Sequence, residues 1–314
     1  MRIRTPGKIR EQLWFLGSEE SCVYLLEGQD ESILVSGGMS YLVPDLLKQF
    51  EAFHIDETRI TKLLILHSHF DHVGIVPFFK RRNSKMEIYA SGRAWGILHM
   101  PKAIRTINQF SRSVAGRMGR EGVYDSYDLD WRDDIKGNAL SQGDRVDLGK
   151  LEVQIIETPG HSSCSISAYA PKFKALFASD AGGVPYRDRI VAPGNSNFTQ
   201  YQQNLERLKE LDVEYVCADH YGYVAGDEAS DFIPQTIEAA KEERLILEEA
   251  YRRTGDIRIA AKELTKEYYQ KYPDWIVSPE IEEGVFRQML RHIAGTIPSV
   301  ERERKVRNTE AEKE

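Results

Sequence analysis

The stretch His67-Ser68-His69-Phe70-Asp71-His72 follows directly on the apolar run Lys62-Leu63-Leu64-Ile65-Leu66. The run predicts a buried strand, and the turn after such a strand can direct several side chains toward one point. Imidazole and carboxylate ligands at this spacing suit zinc, iron or manganese. A polar surface turn is the alternative interpretation, but four potential ligands in one six-residue turn favour a metal site.

Three later stretches share one arrangement, in which a predicted strand is followed by a potential ligand within a turn of small residues. They are Thr158-Pro159-Gly160-His161-Ser162, Ala178-Ser179-Asp180-Ala181-Gly182-Gly183 and Ala218-Asp219-His220-Tyr221-Gly222. Five of the eight histidines in the chain lie in these turns or in the first stretch. The four stretches together therefore predict one composite metal centre.

The order of these motifs resembles that of the metallo-β-lactamase fold superfamily, over roughly residues 10 to 225. The resemblance implies a cofactor of two divalent transition-metal ions, either zinc or iron. It implies that the first ion is bound by His67, His69 and His161, that the second is bound by Asp71, His72 and His220, and that Asp180 bridges both. Two divalent ions carry four positive charges, and the carboxylates of Asp71 and Asp180 cancel only half of them. The remaining charge favours a hydroxide between the ions, and we expect both carboxylates to have a catalytic role.

Strand-like and amphipathic helical segments alternate along most of residues 1–226. This alternation predicts an α/β fold, and the resemblance implies a four-layer αββα sandwich for these residues. Residues 93–135 interrupt the alternation with helix-compatible segments, so we predict a helical insertion that leans over the metal site. Residues 227–298 predict an all-helical C-terminal cap, and the highly charged residues 299–314 predict a disordered tail.

The predicted cap has apolar residues at helical spacing, which must be buried against the sandwich, one another or a second subunit. They are Leu245, Leu247, Ile257, Ile259, Leu264, Phe286 and Leu290. We expect the cap to form one wall of the substrate pocket, with the 93–135 insertion as the opposite wall, and a homodimer interface and structural packing are the alternatives.

Composition excludes several classes of protein. The net charge of −7 argues against general nucleic-acid binding, and no apolar run approaches the length of a membrane helix. Residues 1–6 lack the apolar core of a signal peptide. The scattered Cys22, Cys164 and Cys217 indicate reduced thiols, so a cytoplasmic location is expected. Cys164 lies close to His161 in sequence, but a small buried hydrophobe is the favoured interpretation.

Residues 88–120 contain no aspartate or glutamate, although the chain as a whole is acidic. Arg105, Arg112 and Arg117 in this segment either bind an anion, such as the phosphates of coenzyme A, or form a solvated helix face. The two interpretations carry equal weight. Three aromatic residues complete the predicted substrate-binding set: Tyr186, Tyr221 and Trp275.

Departures from subfamily patterns narrow the reaction. His69 replaces the glutamate of flavodiiron enzymes, Asp180 replaces the cysteine of the commonest β-lactamases, and Gly183 replaces a tyrosine of acyl-homoserine lactonases. The layout is similar to that of thioesterases of the quinolone-signal response type, which act on an aromatic acyl-CoA. We predict a metal-dependent hydrolase of an acyl-CoA or related anionic thioester. A lactone or phosphodiester hydrolase and a regulatory, partner-binding protein with incidental hydrolysis are the alternatives.

Overall fold

Two seven-stranded sheets form the centre of the protein. The computed structural model describes residues 1–273, 275 and 277–297. The strands are β1 (Arg2–Ile3), β2 (Gly7–Arg10), β3 (Leu13–Gly17), β4 (Cys22–Glu27), β5 (Ser32–Val35), β6 (Ile60–Leu64), β7 (Glu87–Ser91), β8 (Asn138–Leu140), β9 (Arg145–Asp147), β10 (Glu152–Glu157), β11 (Ile166–Ala170), β12 (Ala175–Phe177), β13 (Tyr215–Cys217) and β14 (Tyr223–Ala225). The helices are α1 (Val43–Ala52), α2 (Val76–Arg82), α3 (Gly92–Leu98), α4 (Pro101–Arg117), α5 (Val123–Ser126), α6 (Phe198–Leu208), α7 (Asp227–Thr254), α8 (Ile257–Lys271) and α9 (Pro279–Thr296).

The first sheet has the strand order β1-β14-β13-β12-β11-β10-β9, and the second has the order β2-β3-β4-β5-β6-β7-β8. Strand β6 is parallel to both of its neighbours, β5 and β7. In the first sheet, β12 is parallel to β13 and antiparallel to β11, which is itself antiparallel to β10. Strands β10, β12 and β13 therefore run in the same direction and end at the same edge.

Alternate side chains along a strand belong to different layers of the core. Leu64 and Leu66 belong to the core between the two sheets, whereas Leu63 and Ile65 belong to the core beneath the outer helices. Successive strand side chains point to opposite faces, so a run that is apolar at every position needs cover on both sides. Helices from residues 43–117 cover the second sheet, and α6 and α7 cover the first. The predicted four-layer αββα sandwich is confirmed.

The insertion after β7 consists of helices α3, α4 and α5, as its helix-compatible sequence predicted. Ser91 caps α3 by accepting a hydrogen bond from the Ala94 backbone N–H, and Pro101 begins α4. Helix α4 packs on the short 3-10 helix Phe70–His72, which lies inside the first ligand stretch. The insertion thus lies directly against the predicted metal centre.

Three capped helices follow β14. Gly255, at φ +65°, ends α7, because a left-handed residue closes a helix at low cost when it lacks a Cβ. Asp256 then caps α8 by accepting from the Arg258 and Ile259 backbone N–H groups, and Ser278 caps α9 in the same way. Helix α7 packs on β13, β14 and α6, so it belongs to the outer helical layer of the sandwich. The predicted domain boundary at residue 226 stays a prediction.

Four of the seven predicted apolar cap positions are buried, Ile257 is half-buried and two are exposed. Leu247, Leu264, Phe286 and Leu290 are in the core, whereas Leu245 and Ile259 are more than half exposed. The prediction for Leu245 was wrong because it lies two positions from Leu247, about 200° around the helix and on the opposite side. The predicted tail at residues 299–314 lies outside the described residues.

No helix among the described residues combines the length and the apolar character that crossing a bilayer requires.

Candidate metal centre

The predicted ligands meet at one edge of the sandwich. His67 lies three residues beyond the end of β6 in the second sheet. His161, Asp180 and His220 follow β10, β12 and β13, the three strands of the first sheet that run in the same direction. Side chains separated by more than 150 residues in sequence therefore converge on a single point at this edge.

The first group consists of four side chains whose ligating atoms lie within 4.8 Å of one another: His67, His69, His161 and Asp180. The His69 Nδ1 atom lies 3.1 Å from His67 Nε2 and 3.0 Å from His161 Nε2. The Asp180 Oδ2 atom lies 3.2 Å from His161 Nε2. These atoms face one another across a gap that a single cation would fill.

The second group consists of Asp71, His72 and His220, again within 4.8 Å of one another. The Asp71 Oδ2 atom lies 3.4 Å from His72 Nε2 and 3.6 Å from His220 Nε2. Asp180 also reaches this group, since its Oδ2 lies 3.3 Å from His72 Nε2 and its Oδ1 lies 3.7 Å from His220 Nε2. Asp180 thus lies between the two groups.

Hydrogen bonds behind the imidazoles fix their orientation. His161 Nδ1 lies 2.7 Å from the Pro193 carbonyl oxygen, and His220 Nδ1 lies 2.6 Å from the Glu20 carbonyl oxygen. His72 Nδ1 lies 2.8 Å from Asp219 Oδ2. An acceptor behind one ring nitrogen places the proton there and turns the lone pair of the other nitrogen toward the centre.

The backbone beside two of the ligands is unusual. Ser179 precedes Asp180 and Tyr221 follows His220, and both adopt left-handed φ values of +50° and +61°. Non-glycine residues in this region cost on the order of 1 kcal/mol, and such residues cluster at functional sites. The Ser179 hydroxyl donates to Asp219 and lies 3.3 Å from His67 Nδ1, so this turn supports ligands of both groups.

Burial and charge act differently on the ligands, since the charges of Asp71 and Asp180 outweigh burial and raise the pKa of His72 well above its usual value, whereas burial dominates at His67 and His69. Burial lowers the pKa of His69 to about 3, and burial together with the neighbouring histidines holds the pKa of His67 well below its usual value. Burial raises the pKa of Asp180, but the charges of His72 and His161 outweigh burial and hold it well below its usual value. The His67 and His69 rings are therefore neutral and the carboxylate is ionised.

Two buried atoms at the centre test whether a metal fits. Neither His72 Nε2 nor Asp180 Oδ1 has a hydrogen-bond partner among the described residues. A buried polar atom without a partner costs free energy, and both atoms point at the gaps between the two groups. Imidazole nitrogen and carboxylate oxygen are ligands that zinc and iron accept. The residues present therefore fit divalent transition-metal ions.

Asp219 is a functional candidate that the sequence reasoning quoted but did not assign. It is 2% exposed and contacts His72 and Ser179 behind the ligands. Its position immediately before His220 was the available signal. Partners behind a ligand hold it in the orientation that binds the metal, and losing one typically lowers metal affinity.

We expect Asp219→Ala to weaken metal binding by about 10- to 100-fold, because His72 loses the acceptor that holds its Nδ1 proton. Competition against a chromogenic chelator measures the affinity. Asp219→Asn is the matched variant, since its amide oxygen still accepts from His72, and it should retain most of the affinity. Equal losses in the two variants would contradict the orienting role and indicate a requirement for charge alone.

A cavity of about 580 Å³ opens over the site. Five of the seven predicted ligands line it: His69, Asp71, His161, Asp180 and His220. Helix α4 contributes one wall, which includes Ile107 and Phe110, and helices α8 and α9 contribute another, which includes Phe286 and Met289. The insertion and the C-terminal helices therefore face each other across the centre, as the sequence predicted.

The predicted substrate-binding residues divide into two sets. Tyr221 and Trp275 line the cavity, and Tyr186 is buried behind them, with its ring centroid 4.9 Å from each of the other two. Arg105, Arg112 and Arg117 are exposed and do not line it. Their role as an anion clamp stays a prediction, and their placement gives it no support at this cavity.

Arg112 has partners elsewhere on the surface. Its Nη2 atom donates to Asp130 at 2.8 Å, and its guanidinium lies 4.1 Å from the centre of the Tyr124 ring. Lys102 is the basic side chain of α4 that does line the cavity. Cys164 is buried and lies 3.2 Å from both the Ser68 and the Ser162 hydroxyl oxygens, outside the two ligand groups.

Comparison with known proteins identifies the family. The family model of the metallo-beta-lactamase superfamily matches residues 19–220, which is more than half of the chain. The chain belongs to the metallo-beta-lactamase superfamily. A solved structure of a metallo-beta-lactamase family protein from Thermus thermophilus superposes with a TM-score of 0.64 and 18% identity, and covers 91% of this chain and 93% of that one. At this identity the superposition shows the shared fold.

Two curated relatives of this chain are both named hydroxyacylglutathione hydrolase. That of Bradyrhizobium sp. (strain ORS 278) is 27% identical over 135 residues, which are 43% of this chain and 38% of the relative. That of Hahella chejuensis (strain KCTC 2396) is 33% identical over 92 residues, which are 26% of this chain and 32% of the relative. The chain thus spans about a third of the length of the curated relatives that it matches.

Proposed function

We propose that this superfamily member is a dinuclear metal-dependent hydrolase of thioesters with an apolar acyl group, such as an acyl-CoA. The observation that carries the proposal is the position of Asp180, whose two oxygens approach ligands of both groups at the base of a largely apolar cavity. The names of the two relatives support the bond type, because an acyl group on the sulfur of glutathione forms a thioester.

The site residues would bind two metal ions. His67, His69 and His161 would hold one divalent ion, Asp71, His72 and His220 a second, and Asp180 would join them. Ions bound there would polarise the substrate carbonyl and lower the pKa of the attacking water. Asp180 and Asp71 would position that water between the groups, where their carboxylates lie.

The cavity walls would select the acyl group. Ile107, Phe110 and Phe286 are apolar side chains from opposite walls, and burying an apolar acyl chain between them is favourable by about 25 cal/mol per Å². The same walls would exclude bulk water from the reacting carbonyl. Hydrolysis breaks the carbon–sulfur bond and yields a carboxylate and a thiol.

We expect elemental analysis of metal-loaded protein to give two transition-metal ions per chain, and a panel of acyl thioesters, lactones and phosphodiesters to show turnover chiefly of thioesters. Removal of the metal with a chelator should abolish turnover, and adding back zinc or iron should restore it. Full activity with a single ion would contradict the dinuclear site. Faster turnover of a lactone or a phosphodiester would overturn the proposed bond type.

A further inference from the structure

One wall of the cavity contains two carboxylates that the proposed hydrolysis does not use. Glu282 of α9 and Glu243 of α7 both line the cavity that opens over the metal centre. Glu282 is 8% exposed, and its Oε2 accepts one hydrogen bond from Trp275 Nε1 at 2.9 Å. Within the part of the chain that the structure describes, no lysine, arginine or histidine forms an ion pair with either carboxylate.

A buried carboxylate without a cation is costly, and it is relieved either by protonation or by a positive partner. Burial raises the pKa of Glu282 to about 7, while the Trp275 N–H lowers it and the charge of Glu243 raises it. Burial also raises the pKa of Glu243, which Arg189 partly offsets. Arg189 itself lies over the ring of Tyr272, 4.7 Å from its centre. A cation that bound beside Glu282 would favour the ionised form of its carboxyl group.

Aromatic rings surround the same wall. Tyr221, Tyr268 and Trp275 line the cavity beside the two carboxylates. The Trp275 ring centroid lies 5.5 Å from that of Tyr268 and 6.1 Å from that of Tyr221. The Tyr268 hydroxyl is buried and has no hydrogen-bond partner among the described residues. A positively charged nitrogen is attracted to the face of an aromatic ring when it lies within about 6 Å of the ring centroid.

We propose that this wall, formed by Glu243, Glu282, Tyr221, Tyr268 and Trp275, binds a positively charged nitrogen group of the substrate. The inference rests on the proposed function, because it assigns this group to the molecule that the metal centre hydrolyses. The substrate would then combine an apolar portion, packed between α4 and α9, with an ammonium or quaternary ammonium group at the aromatic wall. The exposed Lys102 lies on the opposite helix, α4, where a cationic group would be repelled rather than bound.

Binding can be measured without turnover. Choline and its neutral isostere 3,3-dimethylbutan-1-ol have nearly the same shape and the same hydroxyl, so calorimetric titration of the metal-loaded protein with each isolates the charge. We expect choline to bind at least about tenfold more tightly than the isostere. Glu282→Gln should remove that preference, since the amide still accepts from Trp275 but carries no charge, and Trp275→Leu should reduce it.

Matched controls are the exposed Glu280→Gln on α9 and Glu242→Gln on α7, which remove the same charge from the same helices away from the cavity. Neither should alter the preference for choline. Equal binding of choline and the isostere to the unmodified protein would overturn the inference. An equal loss of choline binding in Glu280→Gln and Glu282→Gln would overturn it too, because it would indicate a long-range charge effect.

A thioester pair separates this inference from the proposed function. Butyrylthiocholine carries a trimethylammonium group, and S-(3,3-dimethylbutyl) butanethioate is its neutral isostere. We expect Glu282→Gln to raise KM for butyrylthiocholine about tenfold and to leave KM for the neutral thioester unchanged. Hydrolysis of both esters with equal KM, together with no preference for choline, would overturn the inference and leave the hydrolase intact. Selective choline binding without hydrolysis of any thioester would overturn the proposed function alone.

Discussion

Asp180→Asn should reduce kcat for thioester hydrolysis by on the order of 10³-fold, equivalent to about 4 kcal/mol of transition-state stabilisation. Asp180 is 6% exposed and contacts ligands of both groups, so a neutral amide would weaken the link between them. The variant would also remove one negative charge from a buried site, where an unbalanced charge is costly. Steady-state kinetics and elemental analysis of the same preparation measure both effects.

The control for this variant is Asp188→Asn, which removes the same charge from an exposed position farther along the loop that follows Asp180. It should leave kcat and the metal content unchanged. Wild-type kcat in Asp180→Asn with two ions bound would contradict the assigned role of Asp180. A parallel fall in both variants would instead attribute the effect to the net charge of the loop.

Phe232→Ala should lower the free energy of unfolding by about 3–5 kcal/mol, because it leaves a cavity in the core. Phe232 of α7 is fully buried in the cluster that contains Val216 of β13 and Val224 of β14. Denaturant unfolding of the metal-free protein, followed by circular dichroism, measures the change. Leu245→Ala on the same helix removes a side chain that is 57% exposed, and it should change the free energy by less than about 0.5 kcal/mol.

The comparison of Phe232→Ala with Leu245→Ala tests whether α7 is part of the sandwich or a separable cap. A large loss in Phe232→Ala means that α7 is part of the sandwich, and that cutting the chain after Gly226 would expose its core. A loss as small as that of Leu245→Ala would instead mean that α7 is a separable cap, as the predicted domain boundary implies. The packing of α7 on β13 and β14 favours the first outcome.

The sequence alone indicated the alternation of strands and helices and the candidate ligands of the metal centre, and the resemblance to the superfamily implied the four layers. Apolar runs such as 62–66 require cover on both faces, and here the other sheet covers one face and helices cover the other. The potential ligands are rare residue types that follow predicted strands, and the resemblance of their order to that of the superfamily implied how they divide between two ions. The starts of helices are also encoded locally, because side chains such as Asp256 and Ser278 accept hydrogen bonds from the first backbone N–H groups of a helix.

Tertiary structure decided which side chains face the cavity. The sequence emphasised Arg105, Arg112 and Arg117 because they share an acid-free segment, but a helix has several faces, and these arginines lie on the exposed ones. Glutamate is usually a surface residue, and only the packing of α7 and α9 around the cavity buries Glu282 and half-buries Glu243. Asp219 likewise acquires a role through His72, 147 positions away. Periodicity shows that a helix has a buried side, whereas what that side contacts depends on how distant parts of the chain pack together.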